Sequence, residues 1–240
     1  MSDLAAETPP EKSGLWEDFI DIFYHPSAVF ERRRDGQFGL AMLILVVLWA
    51  VLYFALQNGL GPITDAEVAK QIAAMSAKNP SMTAEQLSGA RGMMEKFAMF
   101  GAIIFIPVGL LLTGLILWLA GKIVDAKVMF AGAMVIAVYS MVPRLVELVL
   151  NALQGLFLAP ESITSRFSVS FGPARFLPAD TNPAVMTLLG GFDLFTIWTV
   201  VLMAIGVSVI ARVPRSRGAI AAILVWVVGL LPGLFQALSS

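Results

Sequence analysis

The chain has 240 residues, 58% of them apolar and 14% charged, where soluble globular proteins carry roughly 45–50% and 25%. With a mean hydropathy of +0.82 there are too few charges to cover a water-soluble surface, and a formal net charge of −1 excludes a basic nucleic-acid-binding chain. The absence of cysteine and the single histidine, His25, exclude disulfides, thiolate or multi-histidine metal sites and cysteine nucleophiles.

Residues 1–13 read as a flexible N-terminus with no cleaved leader, because charges interrupt every apolar run. Residues 14–37 read as a pair of interfacial amphipathic helices. Trp16, Phe19, Ile20 and Phe23 recur at helical spacing, with Glu17, Asp18 and Asp21 expected on the opposite, polar face. Pro26 ends the first helix and opens a second, to which Phe30 contributes an apolar face. These residues are expected to anchor the segment on a leaflet, and the same pattern would serve a protein partner.

A hydrocarbon layer of about 30 Å takes roughly 20 helical residues to cross. Five stretches have that length, near residues 38–57, 97–120, 128–152, 185–211 and 219–238. Continuous apolar runs predict helices rather than barrel strands. The fold expected over 38–238 is therefore an all-α, five-span membrane domain with outer-face loops 58–96 and 153–184. In the first loop, Thr64 with Glu67 and Thr83 with Gln86 have capping-box spacing, and Asn79-Pro80 separates two helical stretches, which predicts a helical hairpin. In the second, Phe167, Val169 and Phe171 alternate with serines and predict a short strand.

Basic residues set direction. Lys12, Arg32, Arg33 and Arg34 precede the first span, Lys122 and Lys127 follow the second, and Arg212, Arg215 and Arg217 follow the fourth. All fall on one side, which the positive-inside rule makes cytoplasmic, with the C-terminus and the tail Ser239-Ser240 across the membrane. A bacterial inner membrane fits this arrangement.

Ionisable groups within spans mark where function is to be sought, since each costs on the order of 2.5–3.5 kcal/mol at mid-span. Arg144 and Glu147 lie one turn apart in the third span, and Asp193 in the fourth is expected at similar depth, paired with Arg144. Tyr139 and Asn151 extend this polar cluster, and Pro143 predicts a kink beside it. The cluster reads either as a structural ion-pair network or as part of a transport path. Thr113 and Gln236 are the notable polar residues of the second and fifth spans. Gly229 and Gly233 have close-packing spacing.

No catalytic constellation is present. His25 lies outside every span, no H-E-x-x-H or phosphate-binding loop occurs, and Asp193 is the one aspartate within the spans. The chain reads as a non-enzyme without cofactor or metal, with membrane lipids as its partners. A protein partner at the arm and homo- or hetero-oligomers are compatible with the pattern; nucleic acid is not.

Four pieces in order carry a resemblance. They are Phe19-Ile20-Asp21-Ile22-Phe23-Tyr24-His25-Pro26-Ser27-Ala28-Val29-Phe30, the third-span Val138-Tyr139-Ser140-Met141-Val142-Pro143, Phe192 to Leu202 in the fourth span, and Arg217-Gly218-Ala219-Ile220-Ala221-Ala222. Together they resemble the Yip-domain family, five-span proteins whose eukaryotic members interact with Rab-type GTPases. The resemblance implies N-in, C-out topology and a non-catalytic, membrane-organising scaffold or adaptor. The long N-terminal region and the aspartate–leucine–tyrosine–glycine–proline motif of the eukaryotic members have no counterpart, so GTPase binding is not carried over. The alternative is a transporter or channel subunit built on the polar cluster.

Overall fold

The computed structural model describes residues 14–238. The expected flexible segment 1–13 with Lys12, and the tail Ser239-Ser240, lie outside the described residues. The fold is all-helical among those described, and the protein is an integral membrane protein. Among the described residues four helical segments are long and apolar enough to cross a membrane, and a sharply bent pair brings the number to five if it is counted as one span.

Helices α1 (Leu15–Tyr24) and α2 (Pro26–Arg32) form a hairpin. Pro26, lacking an N–H, starts α2 where α1 has just ended at His25. This arm is packed into the bundle. Along α9 (Leu194–Ala211), the Phe23 ring meets Trp198 at 5.4 Å and Phe30 lies against Gly206. Arg34 then donates to the Val209 carbonyl at 2.7 Å, so the arm follows α9 for roughly 16 Å. The expected polar face is corrected here: Asp18 is fully buried, with Phe19, Ile22 and Phe30. Of the anchor residues named from the sequence, Trp16 and Ile20 face outward, Phe23 is half-buried, and Phe19 and Phe30 belong to the core.

Helix α3 (Gly39–Ala55) is followed after an 87° bend by α4 (Gln57–Lys78). Helix α4 crosses α7 (Pro143–Phe157) with backbones touching: a β-carbon on Gly155 would collide with the Gly59 carbonyl, and one on Gly59 with that of Ala152. Small residues allow such a crossing. Thr64 does not cap a helix, because it lies inside α4 and donates to Leu60 at 3.1 Å. Thr83 does: its hydroxyl accepts from the Gln86 N–H, and the Gln86 side chain accepts from the Thr83 N–H. It starts α5 (Ala84–Ile123), 40 residues long and thus roughly 60 Å, about twice the hydrocarbon thickness. The segment 58–96 is therefore largely helical, and Ile104–Ile123 is the apolar part of α5 that can span.

The stretch 128–152 is two helices, α6 (Phe130–Ser140) and α7. They part at Met141 and Val142 because Pro143 removes a helical N–H and crowds the preceding turn. Every residue from Gly132 to Ser140 is buried, Ser140 being polar; buried on all sides, α6 is the central helix. The stretch 185–211 also divides, into α8 (Pro183–Gly190) and α9. No strand forms at 167–171: Arg166–Val169 is a 3₁₀ turn. Arg212, with φ 52°, ends α9, and α10 (Arg215–Leu238) returns against it. Gly218 lets the two backbones meet at the Ala204 carbonyl.

The arm, the α5–α6 turn and the α9–α10 turn share one end, since Gly36 packs on Ala131 and Arg34 on Val209. We call this the arm side, and the end bearing α4, the 158–182 segment and α8 the loop side. Of the bases, Lys122 lies over the Trp118 ring at 3.6 Å and Arg217 reaches Asp125 at 3.6 Å. Lys127, Arg212 and Arg215 are exposed.

A polar cavity on the loop side and a buried ion cluster under the arm

Two arrangements of polar side chains stand out. The first is a cavity of about 700 Å³ among α5, α7, α8, α9 and α10. Its wall includes Arg144, Glu147 and Asn151 from α7, Thr196 and Thr199 from α9, and Thr113 and Gln236 from α5 and α10. Arg166, Phe167 and Ser170 complete it from the 158–182 segment, and Ile116, Met203 and Val225 give it apolar surface. These three lie farthest toward the arm side on their helices, so they form its floor. Arg144 donates to Glu147 at 2.8 Å and to the Thr196 hydroxyl at 2.9 Å.

The expected Arg144–Asp193 pair is not formed among the described residues. Asp193 is instead the N-cap of α9, accepting from Phe195 N–H at 2.9 Å, and its second oxygen accepts from Phe171 N–H at 2.6 Å. A carboxylate that satisfies an orphan N–H at a helix start is held by that end's partial positive charge. It binds the loop segment to α9 rather than a cation to α7. Asn151 lines the cavity, and its buried side-chain oxygen has no partner among the described residues. Gly229 opens onto free space, whereas Gly233 packs on Thr187 of α8, so of the two glycines it is Gly233 that serves a contact within the chain.

Tyr139 leaves the cluster that the sequence suggested. Its ring packs on Phe19 at 5.7 Å and its hydroxyl donates toward Asp18 at 3.5 Å, which makes it part of the second arrangement. There Asp18 accepts from Arg32 at 2.9 and 2.7 Å and from Arg33 at 2.5 Å, while Arg32 also reaches Asp21 at 2.6 Å. Burial opposes the charge on the Arg32 guanidinium. The hydrogen bonds to Asp21 and Asp18 outweigh it and hold its pKa above the ordinary arginine value. Arg32 and Arg33, expected from the sequence to be topology determinants, clamp the hairpin in the structure.

Sequence reasoning missed Asp18, Thr196 and Arg166. Asp18 carried a signal, since Leu15, Asp18, Phe19 and Ile22 share one helical face. Arg166 carried none, being brought to the cavity by tertiary folding. Among the described residues no cluster of histidine, aspartate and glutamate could hold a metal ion. The chemistry on offer is recognition through paired charges and hydrogen bonds.

No solved structure matches the chain. A Bacillus subtilis (strain 168) protein described as membrane protein YknW is 26% identical over 232 residues, covering 96% of this chain and 93% of that protein. The Yip1 domain family model matches residues 20–235, from the middle of α1 almost to the end of α10. The chain therefore belongs to the Yip1 domain family.

Proposed function

We propose that this Yip1-domain protein is a non-catalytic membrane subunit that holds an amphiphilic ligand in its loop-side cavity, acting as an adaptor rather than a conduit. The supporting observation is a contrast along one axis. The arm-side half is filled by α6, the arm and the first half of α10, whereas the loop-side half encloses about 700 Å³, within the size range of small-molecule pockets. The floor of Ile116, Met203 and Val225 gives way to buried Val207, Ile136 and Phe30. The bases gathered at the arm side support an arm facing the cytoplasm. Membrane lipids are then the nearest source of amphiphiles.

One observation favours the alternative of a transporter subunit. Two helical stretches break beside the cavity, at Met141-Val142 and between α8 and α9, as discontinuous transporter helices do. The adaptor reading is tested by filling the cavity. Gly229→Phe, projecting into open space, is expected to fold normally yet lose amphiphiles that co-purify with the wild type. A folded Gly229→Phe protein that retains the same amphiphiles would contradict it.

A further inference from the structure

Resting on that reading and deepening it, we infer that the cavity's ligand has a zwitterionic head, a primary ammonium joined to an anionic group, as in phosphoethanolamine. Four charged side chains line the cavity: Arg144, Arg166, Glu147 and Asp193. They sum to zero, and they are not equally free. Asp193 spends both oxygens on backbone N–H groups, and Arg144 is shared between Glu147 and Thr196.

Two kinds of unmet valence remain. Glu147 uses Oε2 for Arg144, and no hydrogen bond to Oε1 forms among the described residues. One turn along the same face, the Asn151 side-chain oxygen is buried without a donor among the described residues. Rotation of the Asn151 amide would turn that oxygen to the cavity it lines, where it and Glu147 Oε1 would both accept N–H. Arg166 is an exposed cation at the cavity rim that lies over the Phe167 ring at 5.0 Å and forms no salt bridge among the described residues. It offers donors to an anion.

An anion alone would meet Arg166 but leave the α7 acceptors unmet and face two carboxylates. A cation alone would meet two arginines. A head bearing both signs satisfies each side through charge-assisted hydrogen bonds at an exposed Arg166 and a partly exposed Glu147. The acceptors further require N–H groups, which an ethanolamine ammonium has and a choline does not. Below them, Ile116, Met203 and Val225 offer apolar contact to the rest of an amphiphile.

The test is native mass spectrometry of the full-length chain in detergent, titrated with phosphatidylethanolamine, phosphatidylcholine and phosphatidylglycerol of matched acyl chains. Phosphatidylethanolamine is expected to be retained roughly tenfold better than either of the others, one hydrogen-bonded contact's worth of affinity. Asn151→Leu should erase its advantage over phosphatidylcholine, and Arg166→Gln should weaken both without changing their ratio. These two variants leave the Arg144–Glu147 pair intact, so matched unfolding midpoints can establish that they fold; Glu147→Gln is the third. Free phosphoethanolamine as competitor distinguishes the sources: displacement of bound lipid indicates a water-soluble ligand, and persistence indicates the lipid itself. Equal retention of the three lipids, or a preference for phosphatidylglycerol or phosphatidylcholine, overturns the zwitterion and leaves the amphiphile reading standing. Failure of the wild type to retain any lipid overturns both.

Discussion

The two halves of this bundle are built on opposite principles. On the arm side, α6 is buried over nine consecutive residues, Gly132 to Ser140, and the buried carboxylate of Asp18 is satisfied by two arginines and Tyr139. On the loop side, α7 and α10 turn polar and small residues toward an open space, and among the described residues Asn151 keeps an unmet acceptor. Helix α10 shows the change within itself: Gly218, Ala221, Ala222 and Val225 are its buried residues, all in its first half. Packing density makes the first region intolerant of change, and vacancy leaves the second tolerant of change and available for binding.

That contrast can be broken by substitution. The largest effect is expected from Asp18→Ala, which leaves two partly buried arginines without their shared partner. Losing one side of such a buried pair costs about 3–5 kcal/mol, read as a drop in thermal unfolding midpoint in detergent; a wild-type midpoint would show that the arm is held by apolar contacts alone. Next comes Gly218→Ala, whose β-carbon would strike the Ala204 carbonyl. Overpacking of this kind costs about 1–3 kcal/mol, and unchanged stability would mean that α9 and α10 do not meet there. Thr196→Val removes one hydrogen bond to the partly exposed Arg144, for a loss of about 1 kcal/mol. Its sharper readout is weaker ligand retention. The smallest effect belongs to Gly229→Ala, which adds the same methyl to the same helix as Gly218→Ala but into free space. It should be neutral or stabilise by about 0.5–1 kcal/mol, the ordinary helix preference for alanine. Equal costs at Gly218 and Gly229 would remove the distinction between the halves.

Much of the architecture was legible because lipid allows few solutions. Runs such as 97–120 and 219–238 are too long and apolar for anything but helices crossing a membrane, and the Thr83–Gln86 box marks its helix start by local chemistry alone. The misreadings share a cause, which is that a residue type was taken for an environment. Asp18 was assigned to the polar face because aspartate is polar, although its spacing matched Leu15, Phe19 and Ile22. Asp193 was read as a mid-span charge, although an aspartate directly before an apolar run, after Gly190-Gly191, is also a helix-start signal. Thr64 had capping spacing but stood inside a helix, where a threonine hydroxyl turns back to a carbonyl. The cavity members Arg144, Glu147 and Asn151 were visible as polar groups in an apolar span. Arg166 and Thr196 were not, because only packing at long sequence separation makes them neighbours of α7.

The central claim, a sealed arm-side half beneath a loop-side cavity, is tested most directly by thiol accessibility in a chain that has no native cysteine. Single cysteines at Thr196 and Gln236 in the cavity wall, and at Ile136 and Val207 in the packed half, are treated with a membrane-impermeant reagent from each side in turn. The account predicts that Thr196→Cys and Gln236→Cys react from the loop side only, while Ile136→Cys and Val207→Cys are protected from both. Reaction of Ile136→Cys or Val207→Cys from the arm side would reveal a continuous path, and the protein would be a conduit.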